Sequence, residues 1–194
     1  MMAYTLFGSQ TSPFVRRLRM LMHNLPFEFK EMNIFETQDA VLLNKINPLN
    51  QVPVLQHDDK TIWDSRQIFQ YLNQIHKFEE LDWKEENLLT GIEGAMDSGI
   101  ALLLMKRSGM NVDENYMFIN RQKERIDSVL EYLSPYLKDK ALTDWNFATM
   151  TLYAFLDWAL FRNIINIEKR PEVINFLEIH SQRPAVLASA IPKV

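Results

Sequence analysis

The feature that most constrains the fold is a change of pattern at the charged segment from Lys77 to Asp82. Before it, short apolar runs alternate with helically spaced ones. After it, strand signals vanish and long helical periodicities take over. The first part predicts strands at Tyr4–Phe7, Phe27–Glu31, Val54–Gln56 and Thr61–Trp63, and helices at Pro13–Asn24, around Gln38–Lys45 and at Ser65–Gln74. His57-Asp58-Asp59-Lys60 supplies the polar turn of a hairpin. The helix from Ser65 is expected to bury Ile68, Leu72 and Ile75. The second part predicts helices over 85–107, 113–136 with Asp113 as cap, 146–161 and 171–181, the third rich in aromatics and therefore central. The expected organisation is an α/β domain over 1–77, a linker over 78–83 and an all-helical domain over 84–194.

Composition removes several function classes. The chain has no cysteine, so a disulfide, a thiolate metal site and a cysteine nucleophile are all impossible. Its four histidines are scattered without metal-ligand spacing, and no metal is expected. A net charge of −4 gives no electrostatic reason for nucleic acid or an anionic membrane as partner. The longest purely apolar run, Ile100 to Met105, falls far short of the ~20 residues that span a bilayer. The amino terminus has no basic stretch followed by an apolar one, and the expected location is cytoplasmic.

Chemistry concentrates at Gly8-Ser9-Gln10-Thr11-Ser12-Pro13-Phe14-Val15-Arg16-Arg17, the turn between the first strand and the first helix. Ser12 is placed as N-cap with Pro13 at the first helical position, where the missing N–H costs nothing. A hydroxyl there can meet an anion, because first-turn N–H groups and the helix dipole point at the same place. Alone, such a serine is only a cap. Two further segments change its meaning: Asn47-Pro48-Leu49-Asn50-Gln51-Val52-Pro53-Val54-Leu55 and Ile62-Trp63-Asp64-Ser65-Arg66-Gln67-Ile68.

Taken with Ser12-Pro13-Phe14, these segments resemble the amino-terminal, thioredoxin-like domain of the glutathione transferase family, in its serine-type, tau-like and omega-like branches. The resemblance is strong over about the first 80 residues and diffuse beyond. It implies a glutathione transferase architecture, with a thioredoxin-like domain followed by a helical bundle. It also implies glutathione as co-substrate with no other cofactor, an apolar electrophile held between the two domains, and a two-fold homodimer. The omega and beta types form a mixed disulfide with glutathione, which a cysteine-free chain cannot do.

Residue by residue, the resemblance assigns Ser12 to the glutathione sulfur, with Ser9 and Thr11 as rival hydroxyls in the same turn. It implies a cis peptide bond before Pro53, leaving the Val52 backbone to pair with the cysteinyl segment in strand fashion. Gln51 reaches the glycyl carboxylate. Ser65, expected to cap its helix, holds the γ-glutamyl carboxylate through its N–H and hydroxyl, and Asp64 pairs with the α-ammonium. Arg66 either lends charge to that carboxylate or lies in solvent. Where the family opens its central carboxy-terminal helix with Ser-x-x-Asp, this chain has Asn146 and Thr149, a weaker reciprocal cap. The function expected is transfer of glutathione thiolate to an apolar electrophile, or a related glutathione-dependent reduction. The alternative is a non-catalytic binding or regulatory scaffold of the same fold.

Overall fold

A computed structural model describes residues 4–138 and 144–192. The described chain divides into two compact units, one running to Glu80 and joined by the segment that starts at Arg183, the other spanning Leu81–Gln182.

The first unit is built on a four-stranded sheet: β1 (Tyr4–Gly8), β2 (Phe27–Glu31), β3 (Val54–His57) and β4 (Lys60–Trp63), in the order β2-β1-β3-β4. β1 and β2 are parallel across α1 (Pro13–Leu21), while β3 runs antiparallel to both β1 and β4. The β3–β4 turn falls on Asp58 and Asp59 as expected, with Asp58 at φ 53°. Strand alternation sorts the core. Phe7 and Val54 face Met32 and Leu43, the latter on α2 (Thr37–Ile46). Leu6 and Leu55, one residue out of phase, are buried on the opposite side together with Leu18 of α1 and Ile68 and Leu72 of α3 (Ser65–His76). Ile75 does not join them; it is exposed, and Phe69 is buried in the same helix instead. At the start of β1, Tyr4 bonds His76 Nε2 at 2.8 Å, and its ring lies 4.3 Å from that of His57, tilted by 34°; His57 Nδ1 pairs with Tyr71 Oη at 2.6 Å. Burial there pushes the Tyr4 phenol above its ordinary value.

The second unit is helical: α4 (Trp83–Arg107), α5 (Met117–Lys138), α6 (Phe147–Phe161) and α7 (Pro171–Ser181). By length and composition alone α4 is apolar enough to cross a membrane, but it lies against both α5 and α6. Gly99 of α4 makes that approach close: a Cβ there would stand 2.9 Å from Trp158 of α6. Asp113 does not cap α5, which starts at Met117. The weak Asn146–Thr149 cap gains a third member, since Asn146 Nδ2 donates to Glu85 Oε1 at 2.7 Å. Glu85 Oε2 meanwhile accepts the Asp82 N–H in the capping box of α4, so one carboxylate serves two helix starts. α5 and α7 are joined through Ser134, whose hydroxyl donates to Glu172 at 2.9 Å. Burial alone pushes the Glu172 carboxyl up, but bonds from its own amide and from Ser134, with the charges of Lys138 and Arg170, bring it below the ordinary range.

The last described helix, α8 (Pro184–Ala188), departs from the expectation of one helical domain over 84–194. It packs on α1 of the sheet unit, where Arg19 Nη2 donates to the Ala188 carbonyl at 3.0 Å.

Candidate functional site

Ser12 is the N-cap of α1, with extended backbone (φ −83°, ψ 127°) and Pro13 immediately inside the helix. Its Oγ accepts the Val15 N–H at 3.4 Å, a long bond that leaves the oxygen weakly held. Among the described residues no acceptor takes its proton. The rival hydroxyls are placed differently: Ser9 Oγ and Thr11 Oγ1 pair with each other at 3.1 Å. The turn sits close on the helix behind it. A Cβ at Gly8 would lie 2.5 Å from Val15, so the end of β1 fits against α1 only without a side chain.

The Val52–Pro53 peptide bond is cis. Pro53 is buried, Val52 half-buried and Gln51 exposed. Asn47, 1% exposed, holds the approach to this bond. Its Nδ2 donates to the Gln51 carbonyl at 2.7 Å, and its Oδ1 accepts the Leu49 N–H at 2.9 Å. Asn47 is therefore the organiser of the loop. The Asn-Pro motif named the residue without revealing that its amide binds backbone at both ends.

At the start of α3 the structure corrects the sequence expectation by one residue. Asp64, not Ser65, is the N-cap, and its Oδ1 accepts the N–H groups of Arg66 and Gln67 at 2.9 and 3.1 Å. Asp64 adopts φ 66°, ψ 129°, a backbone region that L-residues rarely occupy. Such strain persists only where surrounding structure over-determines it, and it clusters at ligand clamps. Ser65 is the first helical residue, 1% exposed, and its Oγ accepts from Arg17 Nη2 at 2.6 Å. Arg17 is itself 1% exposed and was given no role by sequence reasoning, since charged side chains on a helix are mostly exposed. Among the described residues, no group of three or more His, Asp or Glu side chains is arranged to hold a metal ion.

Residues 6–80 match the family model for the amino-terminal domain of glutathione S-transferases. Across nearly its whole length the chain is similar to "Uncharacterized GST-like protein YibF" of Escherichia coli (strain K12), at 29% identity over 97% of this chain and 98% of the relative. Residues 6–80 are an amino-terminal domain of the glutathione S-transferase type. Over a shorter stretch, 37% of this chain and 33% of the relative, it is 37% identical to glutathione S-transferase U1 of Arabidopsis thaliana. The fold is that of a glutathione transferase family member from Pseudomonas fluorescens Pf-5, crystallised with bound glutathione. That likeness has a TM-score of 0.84 at 23% identity and covers 98% of this chain and all of the other. Every sequence-predicted site residue, from Ser12 to Ser65, lies within the matched amino-terminal segment. Its thioredoxin-like sheet brings the β1–α1 turn, the cis-proline loop and the start of α3 into one unit.

Proposed function

We propose that the protein binds glutathione and transfers its thiolate to an apolar electrophile. The observation that carries this reading is the state of Ser12: its oxygen is a weak helix cap and its proton is without an acceptor among the described residues. The free thiol has a pKa of about 8.5, so only a few per cent is the nucleophilic thiolate at neutral pH. A hydroxyl that donates to sulfur stabilises the charged form, and the N-terminus of α1 adds positive potential to it. Ser12 does both without becoming covalent itself. The Ser9–Thr11 pairing supports Ser12 over its rivals, since those two hydroxyls already engage one another.

The rest of the tripeptide is held by its ends. Val52, next to the cis bond, offers backbone N–H and C=O to the cysteinyl segment, and Gln51 is exposed where a glycyl carboxylate can be met. Asp64 keeps Oδ2 for the α-ammonium while Oδ1 caps α3, and Ser65 presents its N–H to the γ-glutamyl carboxylate. The protein acts as a cytoplasmic homodimer. Exposed Trp83, Met117, Phe118 and Tyr132 on α4 and α5 support a partner surface there.

Retention on immobilised glutathione, followed by turnover of a reactive aryl halide with free glutathione, tests the activity. Binding without turnover of any electrophile moves the protein to the scaffold reading. Light scattering at micromolar concentration tests the dimer, and a mass near the 22.9 kDa of one chain refutes it.

A further inference from the structure

Ser65, at the start of α3, touches a buried arginine. Arg17 stands on α1 little more than one turn beyond Ser12, and its Nη2 donates to Ser65 Oγ at 2.6 Å. The Phe14 ring lies 5.5 Å from the guanidinium carbon. A guanidinium has donors and no acceptor, so Ser65 Oγ must be the acceptor in this pair and its own hydrogen points elsewhere. Among the described residues no acceptor receives that hydrogen. A hydroxyl only 1% exposed with an unclaimed proton is costly to leave so. The backbone N–H of Ser65, as the first residue of α3, likewise has no acceptor within the helix. Two donors, the Ser65 N–H and its hydroxyl, therefore meet any group arriving at this point.

We propose that Arg17 is a positioning residue. By fixing Ser65 Oγ as acceptor on one side, it commits the serine proton to the ligand on the other and makes the start of α3 selective for a carboxylate. The inference rests on the glutathione reading above and deepens it: the group selected is the α-carboxylate of a γ-glutamyl ligand. A carboxamide at the same place offers one accepting oxygen where a carboxylate offers two, and its NH2 group meets a donor. Without Arg17 the Ser65 hydroxyl is free to rotate and accept, and the distinction is lost.

Calorimetric titration of the full-length protein with glutathione and with its γ-glutamyl α-carboxamide analogue tests this. Wild-type protein should favour glutathione clearly. Arg17→Gln should shrink that preference roughly tenfold, as expected for a lost hydrogen bond to a charged group, while turnover at saturating glutathione changes little. Ser65→Ala should shrink it similarly, and the double variant should shrink it no further, because both substitutions remove one device. Should Arg17→Gln fail to fold, Arg17→Met takes its place, since a methionine fills much of the same space but donates nothing, and the preference should still fall. A merely structural brace predicts otherwise: both ligands weaken by the same factor, or the two substitutions add, and either result overturns the proposal. A wild-type protein that binds neither ligand overturns the glutathione reading and this inference with it. One that binds glutathione, with its preference untouched by every variant, overturns the role of Arg17 alone.

Discussion

The starts of α1 and α3 are alike in sequence, each a small polar residue leading into a helical pattern, and they are unlike in structure. Ser12 sits in ordinary extended backbone, half-buried, with one cap bond of 3.4 Å. Asp64 sits at φ 66° with two amides on a single oxygen at 2.9 and 3.1 Å, and the residue after it is buried against Arg17. A helix needs its first N–H groups satisfied in either case. What differs is how much of the capping group remains for something else. The α1 start holds its hydroxyl loosely, which suits a group that must follow charge developing on sulfur. The α3 start is locked before any ligand arrives, which suits recognition, because a pre-formed clamp loses little freedom on binding.

The comparison is broken most directly at Asp64. Asp64→Ala should weaken glutathione binding by about 1.5–3 kcal/mol, a charged hydrogen bond lost, while turnover at saturating glutathione falls much less. Equal affinity for glutathione and its des-amino analogue would remove Asp64 from the ammonium. Ser12→Ala should do the reverse. It should raise the thiol pKa, read from thiolate absorbance against pH, and cut turnover about tenfold, near 1.4 kcal/mol of transition-state stabilisation. An unchanged pKa and rate would pass the role to Ser9, Thr11 or the backbone.

Asp64→Gly separates strain from function at one position. Glycine takes positive φ without penalty, and a glycine cap costs only a few tenths of a kcal/mol, so thermal stability should hold or rise by about 1 kcal/mol while glutathione affinity falls as in Asp64→Ala. Lower stability in Asp64→Gly would mean that the cap outweighs the strain. The smallest effect is expected away from the site. The lowered Glu172 carboxyl stabilises the fold above its unfolded value near 4.5, and that contribution disappears as pH falls through the lower folded value. Glu172→Gln should remove about 0.5 kcal/mol or less of stability at neutral pH, because the group is poorly shielded from water, and should leave glutathione binding as it was. A change in glutathione affinity would show that the two helix starts are not set by the sheet unit alone.

Much of the frame was legible. The strand and helix alternation, Pro13 inside α1, the turn at Asp58-Asp59 and the aromatic α6 follow from periodicity and turn chemistry. The cis bond before Pro53 came from the family resemblance, not from the residues themselves. Three features were out of reach for distinct reasons. Asp and Ser are equally good caps, so only the backbone angle of Asp64 decides which one serves, and no propensity forecasts φ 66° there. Asp113 reads as a cap because it precedes apolar spacing, yet its backbone N–H bonds the Asn111 side chain in a turn and α5 waits until Met117. Arg17 is the plainest case: charge on a helix predicts water, and only a tertiary partner on α3 makes it an inside residue.

The docking of α8 on α1 sets the order in which the molecule can be completed. The sheet unit takes its strands from the first third of the chain, but one of its packed helices comes from beyond residue 182. As the chain leaves the ribosome amino-terminus first, the residues of α1 emerge early, and the bond from Arg19 to Ala188 can form only after the whole helical unit has been synthesised. The helix that carries Ser12 therefore reaches its finished surroundings last.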